Sequence, residues 1–234
     1  MTLRAADVPP SGTPVPEAIA ALAGDDPVEL VWQNEQGGVT ARVERPGGAI
    51  FAKWNPPGSI ESLRDEAERM RWLGRLGSVP VPRVLGEHRD AAGELLVTAA
   101  IPAVSIVSPA GRRSPLAAAA ALGAGLRALH AIDAASCPFP APDWAAREVV
   151  EDPVVCHGDP CAPNTLIAGG AFAGIVDLGR VGVSDRWADL SIASWSLEWN
   201  GLAAAAPSFW RAYGIRRDDA RIAPWRALWE PPLA

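Results

Sequence analysis

The chain has 234 residues, of which 49% are hydrophobic and 21% charged, and its net charge at pH 7 is -6. This length and apolar content suffice for one domain or a two-lobed unit with a sizeable core, and they exclude extensive disorder. The acidic balance argues against nucleic acid as a partner, because binding to phosphates calls for a basic face. It permits a cationic small-molecule substrate, although many acidic proteins bind none.

No apolar run is long enough to cross a bilayer, since the alanine-rich stretch from Leu116 to Leu129 is interrupted by two glycines and an arginine. The N-terminus lacks the charged and apolar regions of a secretion signal. Three cysteines, at positions 137, 156 and 161, are too few and too unevenly spaced for a disulfide framework. Without a CxxC pair to support a zinc site, we expect Cys156 and Cys161 to be small buried thiols. We expect the protein to be a cytoplasmic monomer without membrane contact.

In chain order, a proline-rich start precedes a short helix predicted at Glu17 to Ala23, and the pattern then changes to short strands. Glycine-containing turns separate these strands, which indicates a small antiparallel sheet. A helix with apolar residues at helical spacing is predicted from Ser59 to Leu76, and Pro80 and Pro82 end that segment. The predicted strands of this half are 29–32, 39–44, 49–54, 84–85 and 95–98.

After a connector at 99–102 the sequence becomes mainly helical, with helices predicted at 116–132, 190–199, 207–213 and 218–228. A strand-rich half followed by a helix-rich half predicts two lobes with a cleft between them. We place a nucleotide-binding lobe at 1–98, a hinge at 99–102, and a catalytic and acceptor-binding lobe at 103–234.

The segment with the most functional information begins at His157 and contains Asp159, Asn164 and Asp177. Asn164 lies five residues after Asp159, and Asp177 lies thirteen residues further on. Two short strand-like runs between Asn164 and Asp177, joined at Gly169-Gly170, predict a hairpin. Such a hairpin brings Asp177 back beside Asn164.

Transfer of a phosphoryl group from a nucleotide requires a carboxylate that orients the attacking hydroxyl and oxygen ligands that hold Mg²⁺ against the phosphates. Mg²⁺ prefers one or two carboxylates completed by phosphate and water. We therefore predict a small-molecule kinase with Asp159 as its catalytic residue and Asn164 and Asp177 as Mg²⁺ ligands. Taken singly, Asp177 also fits a turn and Asn164 a loop cap, and a lone His-Gly-Asp is a weak signal.

Lys53 is the only lysine in a chain with twenty arginines, and it ends the third predicted strand. Glu66 follows thirteen residues later on the predicted helix. A strand lysine that contacts nucleotide phosphates and is held by a helix glutamate is typical of protein-kinase-like folds, whereas a surface pair would contribute little. Gly37 and Gly38 between the first two strands let backbone N–H groups approach phosphates, and they fit an ordinary hairpin turn equally well.

These residues together resemble the aminoglycoside phosphotransferase family, enzymes related to protein kinases that phosphorylate antibiotic hydroxyls with ATP. The resemblance extends from about Phe51 to the C-terminus. Within the family, the segments around His157 and Asp177 are most similar to streptomycin 3''-phosphotransferases. The matching segments are 51–53, 65–73, 96–102, 129–130, 137–139, 154–161, 175–180 and 185–190.

The resemblance implies an α+β, protein-kinase-like two-lobed fold, with a small antiparallel sheet and a helix in the N-terminal lobe and a mostly helical C-terminal lobe. It implies ATP and Mg²⁺ as cofactors and transfer to an aminoglycoside hydroxyl, first of all the 3''-hydroxyl of streptomycin, which would give antibiotic resistance. The implied roles are catalytic base for Asp159, Mg²⁺ ligands for Asn164 and Asp177, phosphate clamp for Lys53 and Glu66, and adenine-binding hinge for Thr98, Ala100 and Ile101.

The acceptor side departs from the family pattern. Seventeen residues separate Phe139 from His157, whereas family members have several tens of residues there, which form part of the antibiotic-binding wall. Glu198 and Glu230 are the candidates for contact with ammonium groups of the acceptor. Two alternatives remain open: a kinase for another aminoglycoside or small hydroxyl compound, and an ATP-binding remnant that has lost its acceptor wall.

Overall fold

The computed structural model describes residues 8–229, and the chain divides into two compact units. One comprises Pro82–Ala100 together with the chain up to Trp72, and the other comprises Leu73–Val81 together with the chain from Ile101. The boundary between Ala100 and Ile101 falls inside the predicted hinge at 99–102. Residues 73–81, which the prediction placed in the N-terminal lobe, group with the second unit. The functional labels given to the segments 1–98 and 103–234 stay predictions.

The first unit is built on a five-stranded antiparallel sheet with the strand order β1-β2-β3-β5-β4. Along β2 every second side chain is buried, and Val39 and Ala41 pack with Ile19 of the first helix, as expected for a sheet with one apolar face. The elements are α1 (Glu17–Ala23), β1 (Val28–Gln33), β2 (Val39–Val43), β3 (Ile50–Asn55), α2 (Leu63–Leu76), β4 (Val84–Asp90) and β5 (Gly93–Ala99).

Two elements of the first unit differ from their predicted bounds by more than two residues. Strand β4 continues to Asp90, because it pairs with β5 along its whole length although its second half is polar and exposed. Helix α2 begins at Leu63 instead of Ser59. The Ser62 hydroxyl accepts a hydrogen bond from the Asp65 N–H at 3.2 Å, which is the arrangement of a helix N-cap.

The second unit is mainly helical, as predicted. Its core includes Leu122, Leu126 and Phe209, all buried, and Gly123 of the third helix lets the backbone of the fifth approach closely. The elements are β6 (Val104–Ser105), α3 (Pro115–His130), β7 (Pro153–Cys156), β8 (Thr165–Ala168), β9 (Ala171–Ile175), β10 (Gly182–Asp185), α4 (Arg186–Trp199), α5 (Ala206–Tyr213) and α6 (Asp219–Trp229).

Two small antiparallel sheets flank the segment that contains the predicted catalytic residues. Strands β6, β8 and β9 form one, and β7 pairs with β10 in the other. The pairing of β7 with β10 places Cys156 opposite Gly182, at the point where the chain enters the catalytic segment. Within residues 8–229, no helix combines the length and the apolar character that a membrane crossing requires.

Candidate active site

The β8–β9 hairpin has the geometry that the sequence predicted. Gly169 and Gly170 form its turn with φ of 57° and 82°, values that glycine adopts without steric cost. Beyond the hairpin, the Val176 N–H donates to the Asn164 carbonyl at 3.0 Å. The residue before Asp177 is therefore bonded to Asn164, so the backbones of the two predicted Mg²⁺ ligands lie close together.

Asp159 lies in the loop between β7 and the turn that precedes β8. Its side chain is 23% exposed, and Oδ2 lies 3.9 Å from Nη1 of Arg180. The Oδ1 atom is buried and has no hydrogen-bond partner among residues 8–229. The Asn164 side-chain amide donates to the Asp159 carbonyl at 3.0 Å, which fixes the loop between these two residues.

Asp189 of α4 holds the backbone just before Asp159. Its carboxylate accepts the N–H groups of His157 at 2.6 Å and of Gly158 at 3.0 Å. It also contacts Nε2 of His130 at 3.0 Å, and since a carboxylate only accepts, this ring nitrogen carries a proton. Asp189 is fully buried, so these three donors replace the water that its charge would otherwise require.

Asp177 has an unusual backbone. Its φ is 62°, and within residues 8–229 it is the only residue other than glycine with positive φ. Such a conformation costs of order 1–3 kcal/mol and persists where the surroundings enforce it. Here the preceding peptide is held twice: Val176 donates to Asn164, and its carbonyl lies 3.0 Å from Nε2 of His157.

The two residues of the predicted phosphate clamp meet in the first unit. Lys53 of β3 and Glu66 of α2 form an ion pair with Nζ 2.8 Å from Oε2, and their side chains are 20% and 4% exposed. Lys53 lies between Thr40 and Leu96 in the sheet register. Both groups are largely shielded from water, so this ion pair is not the weakly stabilising surface pair that was the alternative interpretation of Lys53 and Glu66.

The loop between β1 and β2 is ordered by side chains. The Asn34 side chain accepts the N–H groups of Gln36 at 3.0 Å and Gly38 at 2.7 Å. Gly37 has φ of 87°, and Gly38 has no space for a side chain because Asn55 and Asn34 fill the position. Gly37 is thus favoured by its positive φ, and a side chain at Gly38 would have to displace those of Asn34 and Asn55. The contact of both glycines with phosphates stays a prediction.

The predicted hinge residues lie at the end of β5 and just beyond it. Thr98 is buried and paired with Phe51 and Val84 in the sheet. The Ala100 N–H donates to the Ala49 carbonyl at 3.0 Å, so this donor is already used. The Ile101 carbonyl accepts the N–H of Ala103 at 2.7 Å. The role of these residues in adenine binding stays a prediction.

Of the two predicted acceptor contacts, Glu198 is described and Glu230 lies outside the described residues. Glu198 is paired with Arg226, whose Nη2 lies 3.0 Å from Oε1. The Arg226 guanidinium also lies 5.1 Å from the centre of the Trp195 ring and donates to the Ser194 hydroxyl. Glu198 is therefore already bonded to a cation of the protein itself.

The cysteines near the site form no disulfide among the described residues. Cys156 is buried, whereas Cys161 is partly exposed, so the expectation of buried thiols holds for Cys156 only. Burial, and then the negative charge of Asp159, raises the pKa of the Cys161 thiol. Burial and the charges of Asp189 and Asp185 raise the pKa of Cys156 well above its usual value. A raised pKa disfavours the thiolate that nucleophilic chemistry needs.

Three residues contact Asp159 or the loop just before it, and none of them was assigned a role from the sequence. Asp189 holds the loop from one side, Arg180 lies beside the carboxylate, and the Trp144 indole N–H donates to the Gly158 carbonyl at 2.9 Å. For Asp189 the sequence contains one indication of a role, because an acidic residue between buried apolar residues of a helix requires hydrogen-bond partners. Nothing in the sequence indicates the Trp144 contact.

Fold and site together define a phosphotransferase of the protein-kinase-like class, and the α+β fold implied by the resemblance is confirmed. The chain belongs to the phosphotransferase enzyme family, whose profile matches residues 32–151 and 141–225. The two matched ranges overlap at residues 141–151, within the connection between Phe139 and His157.

Known relatives place the chain among aminoglycoside phosphotransferases. It is similar to an aminoglycoside 3'-phosphotransferase of Streptomyces fradiae, at 31% identity over 73% of this chain and 80% of the relative. It is similar to a streptomycin 3''-kinase of Streptomyces griseus, at 32% identity over 74% and 80%. A solved aminoglycoside phosphotransferase APH(3'')-Id from Streptomyces rimosus, in complex with ADP and streptomycin, is similar with a TM-score of 0.71 and 25% identity over 90% of this chain and 94% of that one.

Proposed function

We propose that this chain transfers the γ-phosphate of ATP to a hydroxyl of an aminoglycoside, with the 3''-hydroxyl of streptomycin as the preferred acceptor. The observation that carries the proposal is the partly exposed Asp159 carboxylate, in a loop that Asn164 and Asp189 hold in place. Its Oδ1 atom is buried, which leaves Oδ2 for an acceptor. A hydroxyl that donates to Oδ2 would be oriented for attack.

In this proposal Asp159 orients the hydroxyl and takes up its proton as the oxygen–phosphorus bond forms. Phosphoryl transfer is catalysed chiefly by positioning and by stabilisation of charge. The loop geometry suits that task, because the buried carboxylate of Asp189 accepts the N–H groups of His157 and Gly158, the two residues before Asp159. Arg180 supplies a positive charge beside the Asp159 carboxylate.

Asn164 and Asp177 fit the proposed Mg²⁺ site by their donor chemistry. The Asn164 amide nitrogen is used by the Asp159 carbonyl, which leaves the amide oxygen for a cation. An amide oxygen and a carboxylate are ligands that Mg²⁺ prefers, and the strained backbone of Asp177 is common at functional positions. When bound, Mg²⁺ neutralises charge on the phosphate oxygens.

The first unit supplies the proposed nucleotide contacts. Lys53, held by the nearly buried Glu66, would pair with the phosphates of ATP, and a buried partner keeps its ammonium group in one position. The glycine loop at Gly37 and Gly38 would cover the phosphates. The segment from Thr98 to Ile101 would bind adenine through backbone groups.

The choice of acceptor rests on the relatives. The streptomycin 3''-kinase of Streptomyces griseus and the complex that holds ADP and streptomycin favour the 3''-hydroxyl of streptomycin. The 3'-phosphotransferase of Streptomyces fradiae, nearly as similar, favours the 3'-hydroxyl of another aminoglycoside as the second candidate. We expect the enzyme to act as a monomer in the cytoplasm and to give antibiotic resistance.

Purified protein is incubated with ATP, Mg²⁺ and, separately, streptomycin, kanamycin and neomycin. ADP formation and the product mass report transfer, and NMR of the product locates the phosphate. We expect a 3''-phosphate on streptomycin, and none with Asp159→Asn, which keeps the shape of the side chain and still binds ATP. A 3'-phosphate on kanamycin or neomycin would establish the second candidate. ATP binding without transfer to any acceptor would identify an ATP-binding remnant.

A further inference from the structure

Hydrogen bonds to both backbone groups of Gly158 hold the chain just before Asp159. On one side of Gly158, its N–H donates to Oδ1 of Asp189 at 3.0 Å. On the other, its carbonyl accepts the indole N–H of Trp144 at 2.9 Å. Gly158 has φ of 79° and no space for a side chain, because the Arg180 backbone occupies that position. Hydrogen bonds therefore replace the steric restraint that a side chain would give.

Trp144 is itself held in place by packing. It lies in a short helical turn, Asp143–Ala145, within the seventeen-residue connection that is short for the family. Its ring meets the rings of Trp225 and Trp229 of α6 edge to face, with centroids 6.1 Å and 5.1 Å away, a favourable aromatic geometry. The indole therefore has little freedom to turn its N–H away from Gly158.

The same tryptophans connect to the charge beside Asp159. The Arg180 guanidinium lies 5.7 Å from the centre of the Trp229 ring, within the range of a cation–π contact. Arg180 in turn lies 3.9 Å from the Asp159 carboxylate. Both the backbone and the charge partner of Asp159 thus contact one aromatic cluster, formed by Trp144, Trp225 and Trp229.

We infer that Trp144 is a positioning residue for Asp159, acting through the Gly158 carbonyl, and that the short connection contributes to catalysis by this bond. The inference rests on the proposed function for its consequence in turnover. A displacement of about 1 Å at a reacting group can lower the rate by about a hundredfold. Loss of one hydrogen bond that leaves a carbonyl unsatisfied corresponds to roughly a tenfold change.

The test compares two Trp→Phe variants. Trp144→Phe keeps the aromatic ring and removes the N–H that bonds Gly158. Trp210→Phe is the matched control, because Trp210 is buried in α5 and its indole nitrogen has no partner among the described residues. Hydrogen–deuterium exchange is followed in the segment 154–164, and steady-state kinetics are measured with the accepted aminoglycoside.

We expect Trp144→Phe to speed exchange at the Asp159 amide and to lower kcat about tenfold, with the KM for ATP changed less than twofold. Trp210→Phe should leave both unchanged. Exchange and kcat in Trp144→Phe that equal those of Trp210→Phe would overturn the inference. If Trp144→Phe does not fold, benzothienylalanine at position 144 replaces the N–H by sulfur in the same shape, with the same expected result.

The exchange measurement separates this inference from the proposed function. If the parent protein phosphorylates no aminoglycoside, the proposed function fails, and exchange in the segment 154–164 still decides the role of Trp144. If the parent is active and Trp144→Phe loosens the loop without lowering kcat, Trp144 is a structural residue only and the inference fails.

Discussion

Replacing Asp189 by asparagine tests whether one buried carboxylate holds the catalytic loop. Asp189 accepts hydrogen bonds from His157 and Gly158 and contacts Nε2 of His130. Asparagine has the same shape, but it carries no charge and has one oxygen and one NH₂ group. Whichever way the amide turns, at least one buried N–H faces another donor. Asp189→Asn therefore removes the charge and breaks at least one of the three contacts.

The expected loss of stability follows from those contacts. A hydrogen bond to a charged group contributes about 1.5–3 kcal/mol and a neutral one about 0.5–1.5 kcal/mol. Weakening two bonds and breaking the third lowers the free energy of unfolding by about 3–5 kcal/mol. In a protein of this size each kcal/mol corresponds to about 2–4 °C in Tm, so we expect a decrease of about 6–20 °C.

Asp185→Asn is the matched control for the effect on turnover. Asp185 is also a buried carboxylate with three N–H donors, from Glu151, Asp152 and Trp187, but none of them belongs to the catalytic loop. Thermal unfolding is measured for both variants, and kcat is measured at a temperature where both are folded. Asp189→Asn should lower kcat about 10–100-fold, and Asp185→Asn should not.

A Tm for Asp189→Asn within 2 °C of the parent, against the expected decrease of about 6–20 °C, would refute the claim that the carboxylate is paired in the folded protein. Equal kcat in the two variants would refute the claim that its bonds position Asp159, even if both variants lose stability.

The remaining predictions concern the clamp, the glycine loop and the thiol. Lys53→Met should raise the KM for ATP and lower Tm, because it removes the ammonium partner of the nearly buried Glu66 carboxylate; Lys53→Met with Glu66→Gln should restore Tm but not ATP use, and recovery of both would contradict a phosphate role. Gly38→Ala should weaken ATP binding measured by calorimetry, because its methyl group would displace the Asn34 side chain that orders the loop, whereas Gly47→Ala meets no atom within 4 Å and serves as the control; equal affinities would contradict the prediction. Because the pKa of Cys161 is raised, its thiolate is rarer at pH 8 than that of free cysteine, so alkylation by iodoacetamide, followed by mass spectrometry, should be at least about tenfold slower; a rate equal to that of free cysteine would contradict the shift.

The parts of the site that were predictable depend on local sequence. The hairpin between Asn164 and Asp177 follows from two glycines that permit positive φ and from the short distance along the chain. The ion pair of Lys53 and Glu66 was predictable because the chain has a single lysine and a nearby helix glutamate. In both cases the two partners are at most thirteen residues apart.

The parts that were not predictable depend on contacts between distant residues or on polar edges. The second half of β4 consists of polar residues and is a strand only because β5 lies beside it. Asp189 bonds a loop about thirty residues earlier in the chain, and a helical pattern does not show which loop a buried acid reaches. The Trp144 bond to Gly158 depends on the orientation of an indole ring, which only the packing against α6 determines.

The predicted role of Glu198 as an acceptor contact is affected by a partner that is distant in sequence. From sequence, a glutamate near the end of a helix in an acidic protein is a natural contact for an ammonium or guanidino group. In the structure Arg226, 28 residues later on α6, already forms that ion pair and stacks on Trp195. A cationic acceptor at Glu198 would meet a carboxylate whose charge Arg226 already balances, and the added ion pair would be partly exposed and of small value. We therefore expect acceptor affinity to come mainly from groups other than the Glu198 carboxylate.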